Sequence, residues 1–419
     1  MMCSASTGVD ISATFKVIEH KFLGQHIREY PRATTTSQED PLSIIAKQYV
    51  PWDNLDPSPG AISIISAHAN GIPKEVYEPL WVEIYQAAKK MGLQLRGIWI
   101  ADAAHQGASG ILNEEKLGND PSAFDHSRDL ILMINQLRDK LPRPIFGIGH
   151  SMGATQLMNI SLMHPRIFQG LCLVEPIVFP YSAKDQGRYP PAQASMRRRE
   201  SFDSLDAARS QFRNSSTFQK WDSRAFDKWI KYGLRRAPGD RTGRVILTTT
   251  KSQELFTFVR PTFISKSPAD RRLAFPDLSL EAPSDVLFYR PEPVITFHNL
   301  PHLRPSALYI FGGLSQFISR QLRDSIAHRT GVGIGGSGGS TKGQVKHIVV
   351  RDTGHFGPME DPRTLAEKTV DWLKAEVEQW AFLEQSSLLN SNSQVSQEFL
   401  SSLAVSHQAG EQECRHHKL

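Results

Sequence analysis

The stretch RPIFGIGHSMGATQLMNISLMH (143–164) decides the fold. Its first part, RPIFGIGH (143–150), is an apolar run typical of a buried strand, and SMGATQLMNISLMH (151–164) follows directly as a helix. At the junction, residues 149–153 read Gly-His-Ser-Met-Gly. The two glycines allow a tight strand-to-helix turn, which holds Ser151 in a strained, exposed conformation at the C-terminal edge of a sheet. The pentapeptide alone is a weak signal. In this context it predicts a nucleophilic serine rather than an ordinary glycine-rich turn.

Strands and helices alternate on both sides of this segment. Two strand-like runs open the chain, at 15–21 and 42–49. The further predicted strands are AISIISAH (61–68), LQLRGIWIAD (93–102), GLCLVEP (170–176), ALYIFGG (307–313) and VKHIVVRD (345–352), and the helices lie at 74–92, 124–141, 315–328 and 363–385. Apolar strands separated by helices indicate a mostly parallel, doubly wound sheet with both faces covered, which is an α/β fold.

The alternation stops for about 120 residues after Pro180. A structureless loop of that length inside a compact domain would be unusual, so the stretch predicts an inserted, mainly helical cap. We therefore expect four regions: a first part of the core (1–180), the cap (181–303), a second part of the core (304–385), and a mobile polar tail (386–419) rich in Ser, Gln and Asn.

Composition narrows the class of protein. The 419 residues carry a net charge of +5, yet residues 181–280 alone carry 20 Lys+Arg and 10 Asp+Glu, so a basic middle lies within an acidic frame. That asymmetry indicates either a polyanionic ligand, such as a nucleotide-bearing substrate, or simply a solvated surface. The three cysteines lie far apart, and no cluster has metal-ligand spacing. No dinucleotide fingerprint occurs either. We therefore expect a reducing compartment, no metal and no cofactor.

A serine hydroxyl needs a base, because it is a poor nucleophile near neutral pH. In hydrolases with a G-x-S-x-G turn, the histidine comes last in the chain, after the final strand. His355 has this position, in VKHIVVRDTGHFGPMED. His347 lies inside the strand, and His416 and His417 lie in the polar tail. We therefore predict that His355 is the catalytic base, the alternative being a surface histidine in a loop.

The catalytic acid is harder to place. The loop after ALYIFGG contains no carboxylate before Asp324, which lies deep in the following helix. The preceding strand ends in Glu175, and a carboxylate that ends an apolar strand is costly unless it is paired. Pairing with the imidazole of His355 would orient it and stabilise its charge. We favour Glu175 as the acid, with Asp352 as the rival and Asp324 as a third candidate.

An oxyanion hole is expected from two backbone N–H groups. One belongs to Met152, directly after the nucleophile, and the second comes from the loop His68-Ala69-Asn70-Gly71, where we select Asn70. Asp102, at the end of its strand, could be taken for another catalytic carboxylate. We expect it instead to cap or order the loop that follows.

The two ends of the sequence bear on localisation. The N-terminus lacks a secretory signal, and no apolar run is long enough to span a bilayer, so we expect no membrane span. The chain ends in His417-Lys418-Leu419, a variant of the S-K-L peroxisomal address. These residues predict peroxisomal import through the receptor that reads this signal, and otherwise a cytoplasmic protein.

The chain as a whole resembles the fungal peroxisomal α/β-hydrolases of secondary metabolism, a group with the hydrolases of mycophenolic acid and AK-toxin biosynthesis. The likeness lies in HIREYP (26–31), GIPKEVYEPLW (71–81), FDHSRDLILMIN (124–135), RPIFGIGHSMG (143–153), FYRPEP (288–293) and GIGGSGG (333–339). The resemblance implies an α/β-hydrolase fold, peroxisomal residence, a homodimer and a CoA thioester substrate. It also implies that the acid follows the strand that ends at Glu175. The phosphates of CoA would account for the basic cap.

Three departures from this family stand out. The acid is Glu175 where the mycophenolate enzyme has an aspartate, and Ala69 replaces an expected glycine in the oxyanion loop. The cap shows the weakest likeness, so the resemblance does not identify the acyl group.

The resulting hypothesis is a serine hydrolase that cleaves an acyl-CoA thioester through an acyl-Ser151 intermediate. One alternative is a carboxylesterase, lactonase or acyltransferase acting on a natural-product ester. A second is a catalytically silent acyl-binding partner protein. Nothing in the sequence indicates binding to nucleic acid.

Overall fold

The computed structural model describes residues 11–180, 188–263, 275–278, 285–389 and 395–416, together with Leu273. The chain divides into two compact units, Met1–Glu376 and Val377–Leu419. No helix among the described residues is long and apolar enough to cross a membrane.

The first unit is built on one eight-stranded sheet. Its strands are β1 Phe15–Leu23, β2 Ser43–Pro51, β3 Ile62–Ala67, β4 Leu95–Ala101, β5 Ile145–His150, β6 Gly170–Val174, β7 Ser306–Gly312 and β8 Val345–Val350. Their order across the sheet is β1-β2-β4-β3-β5-β6-β7-β8. Strand β2 runs antiparallel to both neighbours, and the other pairs are parallel. The predicted mostly parallel, doubly wound α/β sheet is confirmed.

Burial explains why the central strands are mainly apolar. Every residue of β3, β5, β6 and β7 is buried, as expected when helices cover both faces of a parallel sheet. The helices of this unit outside the segment between β6 and β7 are α1 Ile11–Thr14, α2 Glu78–Lys90, α3 Gly107–Leu112, α4 Ala123–Gln136, α5 Met152–Met163, α11 Arg320–Arg329, α12 Gly357–Glu360 and α13 Pro362–Leu389, which continues into the second unit. Short 3-10 turns lie at Pro31–Ala33, Lys74–Tyr77, Arg138–Lys140 and Ser340–Lys342.

The chain leaves the sheet after β6 and returns at β7, and we call the described residues between these strands the insert. It contains the helices α6 Pro190–Arg197, α7 Leu205–Arg213, α8 Ser223–Tyr232, α9 Lys251–Phe258 and α10 Glu292–Asn299, with 3-10 turns at Phe218–Lys220 and Leu300–His302. Short antiparallel strands pair Ser201–Phe202 and Leu234–Arg236 with Val245–Leu247, and Arg260–Pro261 with Phe288–Tyr289. Its aromatic side chains pack together around Phe212, Phe218 and Trp229.

Ion pairs join the insert to the rest of the unit. Arg224 contacts Glu83 at 2.8 Å, and Lys228 pairs with Glu78; both carboxylates belong to α2. Arg260 likewise pairs with Asp120 at 2.8 Å. Part of the basic charge of the middle segment therefore neutralises the acidic frame, a use that neither of the sequence-based interpretations considered.

Several helix boundaries differ from the predictions. The helix predicted at 74–92 begins at Glu78 after a 3-10 turn, and the helix predicted at 124–141 ends at Gln136. Helix α11 begins at Arg320 and not at Ser315, because the Ser319 hydroxyl accepts the N–H of Leu322 and caps the helix there. In region 386–419, α13 continues to Leu389 and helix α14 spans Gln397–His416. The polar composition led us to miss that second helix.

Candidate active site

Ser151 occupies a strained turn between β5 and α5. Its φ and ψ are 56° and −117°, a conformation that costs a non-glycine residue energy and recurs at functional sites. The turn is held because the N–H of Ser151 donates to the carbonyl of Val174 at 2.9 Å. A Cβ at Gly153 would lie 2.1 Å from the carbonyl oxygen of Ala67, so this position requires glycine.

His355 lies beside Ser151, in the loop after β8. Its Nε2 is 2.9 Å from Oγ of Ser151, and its Nδ1 is 3.0 Å from Oε2 of Glu175. The side chain of Glu175 is almost fully buried, and that of His355 is 10% exposed. The structure therefore brings together the three residues selected from the sequence, in a continuous hydrogen-bonded chain.

Glu175 is fixed by contacts other than His355. It follows β6 with a positive φ of 48°, and its N–H donates to the carbonyl of Ile310 at 2.9 Å. Oε1 accepts the N–H of Gly312 at 2.7 Å, while the hydroxyl of Ser315 donates to Oε2. Such donors stabilise a buried carboxylate in its charged form. The loop after β7, which lacks an acid, thus supplies hydrogen-bond donors to an acid from the neighbouring strand.

The rival carboxylates lie elsewhere. Asp352 is exposed and forms no hydrogen bond or ion pair with any residue that the structure describes. Asp324 lies in α11, half-exposed, within 4.0 Å of both Arg320 and His347. Neither contacts His355.

Two residues of the Ser151 pocket have a backbone N–H without an acceptor in the described part of the chain. Met152 and Asn70 both line the pocket that Ser151 borders, and neither N–H group has an acceptor among the described residues. The side chain of Asn70 is held by the carbonyl of Glu254 and by Gln106. In contrast, the N–H of Ala69 donates to the hydroxyl of Tyr77 at 2.8 Å.

Tyr77 and His150 connect this loop to His355. The Tyr77 oxygen is 2.8 Å from Nδ1 of His150, and Nε2 of His150 is 2.8 Å from the carbonyl oxygen of His355. A carbonyl can only accept, so Nε2 carries the proton and Nδ1 accepts from the Tyr77 hydroxyl. Burial lowers the pKa of His150 to about 3, so its ring is neutral and this arrangement of protons is fixed near neutral pH. Sequence reasoning missed both roles, although His150 lies within the serine pentapeptide.

A buried ion pair joins Asp102 to Lys74, which follows the loop of Ala69 and Asn70 in the chain. Nζ of Lys74 is 2.6 Å from Oδ2 of Asp102, and both side chains are 0% exposed. Burial alone would raise the pKa of Asp102, but Lys74 and His68 lower it below its usual value. Asp102 also accepts the N–H of Ala108 at 2.8 Å, in agreement with the expected role in ordering the loop.

The pocket next to Ser151 holds about 550 Å³ of empty space, part of which is open to solvent. Both the core and the insert line it. Its walls are mainly apolar, with a polar group of side chains on the insert side. The lining residues are Asn70, Ala123, Ser151, Met152, Thr155, Ile177, Phe179, Tyr189, Thr257, Phe258, Arg290, Glu292 and Pro293. A medium-sized apolar group with a few polar contacts would fit such a site.

Two further predictions from the sequence concern metal ions and targeting. No group of three or more His, Cys, Asp or Glu side chains that could hold a metal ion occurs within the described ranges. The targeting residues His417, Lys418 and Leu419 lie outside the described residues.

The chain is similar in sequence to known hydrolases. The model of the alpha/beta hydrolase family matches residues 67–368. The chain is 37% identical over 400 residues to the type I acyl-CoA thioesterase mpaH of Penicillium roqueforti, covering 89% of this chain and 91% of that protein. It is 30% identical over 240 residues to the abhydrolase domain-containing protein AKT2 of Alternaria alternata, covering 56% and 84% of the two chains.

A solved structure shares the fold at low sequence identity. The peroxisomal alpha-beta-hydrolase Lpx1 of Saccharomyces cerevisiae matches with a TM-score of 0.67 and 18% identity, over 97% of this chain and 99% of that chain. The resemblance stated from the sequence is thus confirmed. Because the family model covers most of the chain and the Penicillium relative spans nearly all of it, the chain belongs to the alpha/beta hydrolase family.

Proposed function

We propose that this protein is a serine hydrolase that cleaves an acyl-CoA thioester to the free acid and CoA. The observation that carries the proposal is the unbroken chain of hydrogen bonds from Ser151 through His355 to Glu175, next to a largely apolar pocket. The substrate class comes from the Penicillium relative, which is named as an acyl-CoA thioesterase.

The first half of the reaction forms an acyl-enzyme. His355 accepts the hydroxyl proton of Ser151 through Nε2 as Oγ attacks the thioester carbonyl, and Glu175 stabilises the imidazolium that forms. The N–H groups of Met152 and Asn70, which have no acceptor among the described residues, donate to the carbonyl oxygen as its negative charge develops. The C–S bond then breaks, and His355 returns the proton to the departing sulfur.

The second half releases the acid. A water molecule takes the place of the thiol, and His355 removes a proton from it as the water oxygen attacks the acyl carbonyl. The bond to Oγ breaks and Ser151 recovers its proton from His355, so the enzyme returns to its starting state.

Two features of the insert support its proposed role as a cap that binds substrate. Tyr189 and Phe258 of the insert line the same pocket as Ser151. Four exposed cations of the insert, Arg197, Lys220, Arg236 and Arg241, form no ion pair with a described residue. Charges of this kind suit the phosphates of CoA, although other basic side chains of the insert are used in ion pairs.

Peroxisomal residence is part of the proposal. It is supported by the C-terminal His417-Lys418-Leu419 and by the peroxisomal description of the structural neighbour. Binding of an import receptor stays a prediction from the C-terminal tripeptide, and formation of a homodimer stays a prediction from the resemblance.

The test measures free-thiol release from a panel of acyl-CoAs. Ser151→Ala is compared with Ser161→Ala, a buried serine of α5 whose hydroxyl donates to Leu157 within the helix. We expect Ser151→Ala to lose about 10⁴-fold or more in kcat and Ser161→Ala to remain close to the unmodified protein.

Two matched substrates separate the alternatives. Faster cleavage of the oxygen ester than of the thioester with the same acyl group would favour an esterase. Binding of acyl-CoA with no turnover of either substrate would favour a silent partner protein. If CoA is recognised through its phosphates, the KM of an acyl-pantetheine will exceed that of the matched acyl-CoA.

A further inference from the structure

Two residues that line the pocket each carry a buried polar atom with no hydrogen-bond partner among the described residues. The atoms are Nε of Arg290 and Oε2 of Glu292, and neither forms a hydrogen bond with any part of the chain that the structure describes. Arg290 is 4% exposed and Glu292 is 1% exposed, and both residues line the pocket that contains Ser151. An unpaired buried donor or acceptor is costly, so such atoms are normally satisfied by a protein group, water or ligand.

The rest of the Arg290 guanidinium is already held in place. Nη1 donates to the carbonyl of Phe256 at 3.3 Å, and Nη2 donates to the carbonyl of Pro121. Nη2 is also 2.9 Å from Oε1 of Glu292. These contacts join the insert to the core, and the buried Nε–H takes part in none of them.

Glu292 is held on one side only. Its Oε1 accepts the hydroxyl of Ser122 at 3.1 Å and the N–H of Ala123 at 2.9 Å, besides its contact with Arg290. All the contacts of the carboxylate therefore fall on one oxygen, and Oε2 is left as an acceptor without a donor. The Glu292 side chain cannot rotate to bring Oε2 to a donor without breaking the contacts of Oε1.

The unused atoms define the chemistry of a ligand group. One is an N–H donor and the other is a carboxylate acceptor, so the matching group must both accept and donate a hydrogen bond. A hydroxyl or a secondary amide does both, whereas a methylene does neither and a carboxylate would be repelled by Glu292.

We propose that Arg290 and Glu292 bind a neutral hydroxyl or amide group of the substrate, through Nε and Oε2 respectively. The inference rests on the proposed function and refines its substrate class. The group can come from either side of the thioester: a hydroxyl on the acyl chain, or an amide of the pantetheine arm of CoA. Both sources present the same chemistry, and the experiment distinguishes them.

The experiment measures kcat/KM for matched substrate pairs. In the acyl arm, hydroxylated acyl-CoAs with the hydroxyl at successive positions are compared with the unsubstituted acyl-CoA of equal length. In the thiol arm, the N-acetylcysteamine thioester is compared with the thioester of an alkanethiol of matched length. Each pair is tested with the unmodified protein, Glu292→Gln and Glu376→Gln. Glu376 is a buried carboxylate that accepts from Ser306, and it does not line the pocket, so it controls for the loss of a buried charge.

We expect the unmodified protein to prefer the polar member of one arm by about 10- to 100-fold, because its absence leaves the buried atoms unpaired. Glu292→Gln replaces one carboxylate oxygen by a donor, so the ratio should fall towards one or invert, while Glu376→Gln keeps it. The arm that responds identifies the source of the group.

Equal rates within both arms for the unmodified protein would overturn the inference, and that result requires no variant to fold. A ratio unchanged in Glu292→Gln would overturn it as well. In either case, release that depends on Ser151 would leave the proposed function standing. Absence of such release from every substrate would overturn both.

Discussion

The Tyr77 hydroxyl makes hydrogen bonds to both the N–H of Ala69 and Nδ1 of His150, so Tyr77→Phe is an informative change. Phenylalanine keeps the ring of a side chain that is 1% exposed but leaves the N–H of Ala69 and Nδ1 of His150 buried without partners. Each unsatisfied group costs about 1–3 kcal/mol, so we expect the free energy of unfolding to fall by about 2–6 kcal/mol.

Tyr309→Phe is the matched control. Tyr309 is 0% exposed, and among the described residues its hydroxyl bonds to Thr330 alone, whose own hydroxyl already donates to the carbonyl of Ile326. Removing this hydroxyl therefore strands no donor, and we expect a loss of about 1 kcal/mol. Urea unfolding at pH 7, where His150 is neutral, measures both variants.

The same change should affect catalysis. Ala69 precedes Asn70, whose N–H we assign to the oxyanion, so a displaced loop should lower kcat more than it raises KM. A lost oxyanion donor costs about 10²–10³-fold, and partial displacement should cost up to about 10²-fold. If Tyr77→Phe destabilises the protein no more than Tyr309→Phe, or leaves kcat unchanged, the hydroxyl does not hold this loop and the reasoning is refuted.

Three further outcomes are expected. Glu175→Gln should lower kcat by about 10⁴-fold because the ring of His355 loses its charged partner, and Glu175→Asp should recover part of it; equal kcat values for the two would argue against the assignment. Lys74→Met leaves the buried charge of Asp102 unpaired and should cost about 3–5 kcal/mol in urea unfolding, and adding Asp102→Asn should restore part of this; a cost below about 1 kcal/mol would contradict it. Burial raises the pKa of Asp125 to about 7, so the folded protein retains a proton that the unfolded chain releases. The free energy of unfolding should therefore fall as the pH rises from about 4 to about 7, by at most about 4 kcal/mol. Unfolding measured from pH 4 to pH 7 should show this decline in the unmodified protein and lack it in Asp125→Asn, and an equal decline in both would contradict the prediction.

The fold could be predicted from the sequence because the patterns that indicate it are local. Apolar strands that alternate with helices predict a parallel sheet, and a serine between two glycines at a strand end predicts a sharp turn. The positions of Ser151 and His355 follow from the same logic, since both lie just beyond the ends of strands at one edge of the sheet. Glu175 could be selected because a charge at the end of a buried strand requires a partner.

The supporting residues could not be predicted because their contacts join distant parts of the chain. Ser315 was assigned to a helix, although its hydroxyl serves Glu175, 140 residues earlier in the sequence. Arg290 and Glu292 lie in a motif that carried the family resemblance, yet their unpaired atoms become evident only when the pocket is seen. The net charge of the insert likewise cannot show which of its arginines are already neutralised.

The bond from Nε2 of His150 to the carbonyl of His355 has a mechanical consequence. His150 and Ser151 are neighbours in the chain, so the loop that carries His355 is tethered to the residue adjoining the reactive serine. A small displacement of the turn should carry the imidazole along with it. The distance between Nε2 of His355 and Oγ of Ser151, 2.9 Å in the structure, should then change little when the sheet as a whole moves. Movement of the His355 backbone away from Ser151 would have to break this partly buried hydrogen bond.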